Sequence, residues 1–266
     1  MDNMTRKELR LPHAKIRDAT HTATLRMGYR NKLIGLYERF DEQLKPSLQR
    51  MLDRNIVRIF REFADVKPGF TKDFSERLNS IADYTIYAGA PKIINEHITL
   101  GYRAGKQRAV SNPRIIKSIR IDPKLSIYDN RVIEDLKARN FSLITKLTED
   151  MKTDLLRVMT DGIKHGDGTT KIAKDISESI TTISRSRAET IARTEIAYSY
   201  NTAISETYKK ADITQWQWLA TLGTTCCEEC AALHGQVFDW TDEQPPLHPN
   251  CLCTIYPVVE MPGEMT

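Results

Sequence analysis

Apolar residues recur at steps of three and four along most of this chain, and only the residues after Ala211 abandon that rhythm. The pattern starts near Thr22 with Leu25, Tyr29, Leu33, Leu36, Tyr37 and Phe40, spaced for one face of an amphipathic helix. Pro46 suits the first turn of a second helix, where its missing N–H costs little, and Leu48, Leu52, Ile56, Ile59, Phe60 and Phe63 form that helix's stripe. The residues 66–69 end it. A third helix is predicted over 72–87 from Phe74, Leu78, Ile81 and Tyr84, with Ala90-Pro91 as an interruption. A fourth is predicted over 92–110, stopped by Ser111-Asn112-Pro113. These stripes read as core rather than as a ligand site.

Asp122-Pro123 reads as a turn, and the domain boundary is placed there, giving a helical N-terminal region 1–121 and a second region 122–266. Beyond it, Ile133, Leu136, Phe141, Ile144, Leu147, Met151, Leu155 and Met159 predict one long helix or two over 132–159. The glycine-rich run 162–168 is a helix cap and turn. Its spacing does not match a phosphate loop, and helices rather than a strand precede it. Thr169 or Thr170 opens a helix striped with Ile172, Ile176, Ile180 and Ile183, and a further helix is expected over 185–211. After Asp212 the alternation changes to that of strands, at 214–221, 236–240 and 253–258. Pro245-Pro246 favours an extended approach to His248. The expected fold is mainly α with a small α+β module at 212–258, long helices followed by a short sheet knuckle held by a Cys/His cluster.

The chain has 266 residues, 28% charged and 40% hydrophobic, the balance of a globular protein. No apolar run approaches the ~20 residues needed to span a bilayer. No secretory signal opens the chain, which implies synthesis in a reducing compartment. A net charge of +4 does not by itself mark a nucleic-acid binder. Within 102–121, however, Arg103, Lys106, Arg108, Arg114, Lys117 and Arg120 occur with no acidic residue. They serve either a DNA or acidic-protein contact, or a solvated helix face followed by a basic edge strand around Ile115, Ile119 and Ile121.

All five cysteines fall in two short runs, Cys226-Cys227-x-x-Cys230 and Cys251-x-Cys253, the second preceded by His248. Two residues between Cys227 and Cys230 let both sulfurs turn toward one ion. Three Cys and one His suit a structural zinc, so the candidate ligands are Cys227, Cys230, His248 and either Cys251 or Cys253. Disulfides are the rival, with an odd thiol left over; a redox Cys-x-x-Cys lacks its usual βαβ surroundings. Glu195 is either a catalytic carboxylate or, more in keeping with its place in a helix, a structural charge. His234 belongs to a turn, and His13, His21, His97 and His165 form no constellation.

Ala192-Arg193-Thr194-Glu195, Trp218 in a strand, Cys227-x-x-Cys230-x-x-Leu233-His234-Gly235 and Pro245-Pro246-x-His248-Pro249-x-Cys251-x-Cys253 follow one another in order. Over 132–258 this order resembles the phage head morphogenesis family, the Mu F-like minor head proteins. Members commonly carry an acidic residue and an arginine ahead of the first cysteine and an arginine between the last two. Here Gly223, Thr225 and Leu252 stand there, which leaves the metal-held fold intact and counts against catalysis. The resemblance implies a non-enzymatic minor protein of a tailed bacteriophage head, made in the host bacterial cytoplasm and found in the procapsid or virion. Its implied partners are the portal protein, capsid or scaffold proteins, and packaged DNA and its ejection, with no membrane. Residues 1–121 are the expected portal-binding half. The competing class is an enzyme, a nuclease or toxin-like activity drawing a general base from Glu195, Glu228, Glu229 or His234.

Overall fold

The computed structural model describes residues 18–61, 68–113, 115, 121–222 and 226–259, with the backbone alone for 54–61 and 68–71. Among the described residues five long helices come first: α1 (Ala23–Arg61), α2 (Pro68–Ala82), α3 (Ala90–Val110), α4 (Ile127–Lys164) and α5 (Thr169–Lys209). A π-helical turn (Asp83–Tyr87) follows α2. Strand β1 (Gln215–Leu219), the short helix α6 (Glu228–Leu233), β2 (Val237–Asp239) and β3 (Thr254–Val258) complete the order. The expected architecture, mainly helical with a small terminal sheet, is what the chain adopts. No helix among the described residues is long and apolar enough to cross a membrane.

The chain divides into two compact units. One comprises Met27–His97 and Glu134–Ala192, and its described elements are all helical. Its cohesion comes from the stripes. Tyr29, Leu33, Leu36, Tyr37, Phe40, Leu44, Leu48 and Leu52 of α1 are buried, as are Ile144, Leu147, Met151, Leu155 and Met159 of α4. The tyrosine hydroxyls find partners across this core. Tyr29 donates to Asn140 Oδ1 at 3.1 Å, and Tyr37 meets the Thr148 hydroxyl at 3.3 Å. Burial pushes the Tyr37 phenol up to about 12, so it stays a neutral donor.

Two expectations are corrected here. Pro46 does not open a second helix; it lies inside α1. The stripe continues through it as Phe40, Leu44, Leu48 and Leu52, all buried. An interior proline costs about 3 kcal/mol, while burying each of those four side chains gains about 1.5–3 kcal/mol, so the helix runs on. Likewise 169–183 and 185–211 are one helix, α5, not two. Ile172, Ile176, Ile180, Ser184, Ala188, Ala192 and Ile196 are buried at every fourth position. The small Ser184 and Ala188 hide the continuity from a search for large apolar residues. The run 162–168 is the expected turn, with Gly166 in the left-handed region at φ 74°. The stripe residues Ile56, Ile59, Phe60 and Phe63 have side chains outside the described residues.

The other unit comprises the described residues within Met1–Arg26, Ile98–Ile133 and Arg193–Thr266. Here α3 and α5 approach closely: a Cβ at Gly105 would clash with the Tyr200 carbonyl oxygen. The Ser199 hydroxyl donates to the Ile98 carbonyl at 2.9 Å along the same contact. The sheet has the order β2-β1-β3, with both neighbours antiparallel to β1. Trp216 pairs with Phe238 and Pro257, and Trp218 pairs with Ile255. Tyr200, Ile204 and Tyr208 of α5 share a buried cluster with Trp216, Trp218, Ile255 and three of the cysteines.

The basic stretch splits once its geometry is known. Arg103 and Arg108 are exposed, but Lys106 is buried. Its Nζ meets Asp129 Oδ2 at 2.5 Å and donates to the Lys124 carbonyl at 2.7 Å. Ile115 is helical and buried rather than part of an edge strand. Arg114, Lys117, Ile119 and Arg120 lie outside the described residues.

Candidate metal centre

Three segments converge on the cysteines. The first is the short helix α6. Cys227 caps its N-terminus, and its sulfur accepts a hydrogen bond from the Cys230 N–H at 3.3 Å. Glu228 and Glu229 occupy the first turn, exposed, where negative charge complements the helix dipole. One turn of helix thus aims Cys227 and Cys230 the same way. His234 follows as the C-terminal cap, its Nδ1 accepting from the Ala220 N–H at 3.1 Å. Gly235, at φ 81°, then turns the chain into β2.

The second segment carries His248. Its Nδ1 lies 2.9 Å from the Pro249 carbonyl, an oxygen that can only accept, so Nδ1 holds the proton there. Nε2 is left with its lone pair facing the sulfurs, the arrangement a metal-ligating imidazole needs. That same carbonyl contact leads the causes that raise the His248 pKa above its ordinary value.

The third segment is Cys251-Leu252-Cys253, pinned from both sides. Asn201 Nδ2 donates to the Cys253 carbonyl at 2.9 Å, and the Thr221 hydroxyl donates to the Leu252 carbonyl at 2.7 Å. Asn250, at φ 66°, turns the chain, and its N–H donates to the Thr194 hydroxyl at 3.0 Å. Thr194 lies in the Ala192–Glu195 motif, which therefore acts as a clamp on the histidine–cysteine loop.

The donor atoms are close. His248 Nε2 is 3.3 Å from both Cys227 Sγ and Cys230 Sγ, and Cys230 Sγ is 3.8 Å from Cys251 Sγ. A tetrahedral zinc with bonds of about 2.3 Å to sulfur and 2.0–2.1 Å to nitrogen has S···S edges of about 3.8 Å and S···N edges of about 3.5 Å. Two groups could hold a metal ion: Cys227, Cys230 and His248, and Cys230, Cys251 and Cys253. Every cysteine is a free thiol. The cavity among them, about 30 Å³, is also lined by Arg193 and Cys226.

Proton affinities within the cluster diverge. The Cys253 thiol donates to Cys251 and holds that thiol down to about 5, while the same bond and burial push Cys253 up. Burial also raises Cys230, and the Cys230 N–H lowers Cys227. Metal binding needs the deprotonated sulfurs, so a cation would displace the protons the cluster holds.

The remaining candidates sit elsewhere. Glu195 is buried in α5, and neither it, Glu228, Glu229 nor His234 belongs to a metal-capable group among the described residues. His97 stacks on Tyr29 at 5.1 Å, a packing role. Arg193 and Cys226, which line the cavity, were not singled out from sequence as site residues. Their signals were available: Arg193 belongs to a recognised motif, and Cys226 is adjacent to Cys227.

Residues 153–256 match the family described as Phage Mu protein F like protein. The match begins within α4, takes in α5, β1, β2 and all five cysteines, and ends within β3. The resemblance carried by the motif residues therefore stands over this stretch. No curated protein and no solved structure matches the chain.

Proposed function

We propose, from the premise that residues 153–256 are a Phage Mu protein F like segment, that this chain is a minor head protein of a tailed bacteriophage. It is made in the host bacterial cytoplasm, joins the procapsid with portal and with capsid or scaffold proteins, and resides in the procapsid or virion. The observation that carries this reading is the coincidence of the family match with the thiol-bearing module: the matched residues contain every candidate metal ligand. Quantitative mass spectrometry of purified particles, with portal protein as the internal reference, tests it. A low, reproducible ratio to portal is expected; absence from both procapsids and virions would remove the reading.

The resident metal in this reading is zinc, held by Cys227, Cys230 and His248 with Cys251 or Cys253 as the fourth ligand. Its role is structural. The thiolate-rich donor set and three donor–donor distances close to tetrahedral edges support zinc as the ion. A role without catalysis is supported by the number of thiol donors gathered there, which favours closed coordination. Residues 1–121 are assigned to portal contact. Exposed Arg103 and Arg108 are assigned to packaged DNA, an interaction whose affinity falls steeply with salt.

A further inference from the structure

We infer that the cluster binds two thiophilic divalent ions that share the Cys230 thiolate, an inference that rests on the zinc reading above for the ion and replaces its single four-ligand site with a pair. One tetrahedral ion brings its four donors into mutual contact, with all six edges within about 3.8 Å. Among the described residues no four donors meet even the looser condition of lying within 4.8 Å of one another. The donors instead form two triads, Cys227–Cys230–His248 and Cys230–Cys251–Cys253, with Cys230 common to both. Cys230 stands at the junction by direct measurement, 3.3 Å from the imidazole of one triad and 3.8 Å from a sulfur of the other. A thiolate sulfur has lone pairs enough to bridge two ions.

Charge favours the pair. Cys230, Cys251 and Cys253 are 2–3% exposed. Four thiolates from Cys227, Cys230, Cys251 and Cys253 carry four negative charges, and two dications cancel them. A neutral cluster is what a buried site tolerates at least cost. Each ion takes three protein donors, and Cys226 and Arg193 line the cavity beside them. The sharing also gives Cys230 a weight no other ligand has, since it alone touches both ions.

The test is stoichiometry in the full-length chain. Native mass spectrometry of the zinc-loaded protein is expected to show two ions per chain. A Cd²⁺ titration, followed by thiolate-to-metal charge-transfer absorption, is expected to saturate at two equivalents. Cys253→Ser, checked for retained helical circular dichroism, drops the count to one. One ion in the unsubstituted chain would overturn the shared-thiolate pair while leaving the zinc reading standing. No ion would overturn both.

Discussion

The helical unit and the sheet-bearing unit reach cohesion by different chemistry. In the first, apolar side chains repeat along α1, α4 and α5, and each contributes a similar increment to one core. In the second, the same cluster holds two tryptophans and three thiols, while Gln217 and Thr254 of the three-stranded sheet and Asn201 of α5 are buried polar residues. Three strands of three to five residues are marginal alone. The difference teaches where each unit is vulnerable. A stripe loses one increment when one residue is cut, but a cluster that ties α6, the His248 loop and the Cys251–Cys253 segment together loses all three at once.

The largest effect is expected from Cys230→Ser. Structural zinc in small domains is worth on the order of 10 kcal/mol, so the sheet and α6 should lose fixed packing while the long helices persist. Near-ultraviolet circular dichroism alongside the far-ultraviolet helix signal checks this. Equal thermal stability of wild type and variant would erase the contrast between the units.

In the helical unit Phe40→Ala should cost about 3–5 kcal/mol, the usual range for a buried aromatic truncated to Ala. Metal content should stay unchanged. Calorimetry with metal analysis sharpens the comparison, because metal loss in this variant would tie the stripe to the cluster.

A smaller effect sits at Asp129, which accepts from Tyr102 at 2.9 Å and caps α4 through Ser126 at 2.7 Å. Removing it leaves Lys106 buried without its partner, a loss of about 3 kcal/mol. Burial works to raise the Asp129 carboxyl, but hydrogen bonds from Lys106 and Ser126 outweigh it and hold the group well below its ordinary value of 3.8. A carboxyl lowered in the folded state adds stability that is present above that ordinary value and is lost as pH falls through the folded one. Asp129→Ala should therefore flatten the acid limb of stability against pH. An unaltered acid limb would show that the ion pair contributes nothing there.

Much of this was legible in the chain. Period and stripe located the long helices, alternation located the strands, and the Cys/His spacing located the cluster. What escaped was set by tertiary packing. Pro46 stays inside α1 because the stripe on either side is buried, a gain no local rule registers. Ser184 and Ala188 look like a break until their burial is known. The pairing of Lys106 with Asp129, 23 residues apart, is invisible to a count of charges. Spacing also could not reveal that the donors form two overlapping triads, since that depends on where α5 pins the Cys253 carbonyl.

The central claim, that a metal holds the sheet-bearing unit together, has a built-in reporter. All three tryptophans of the chain, Trp216, Trp218 and Trp240, lie in or beside the sheet. Tryptophan emission should be followed while a zinc chelator is titrated in, with helix content and bound metal measured on the same samples. The account predicts a red shift and a loss of intensity in step with metal release, with the helix signal largely retained. Metal-free protein with unchanged tryptophan emission would contradict it.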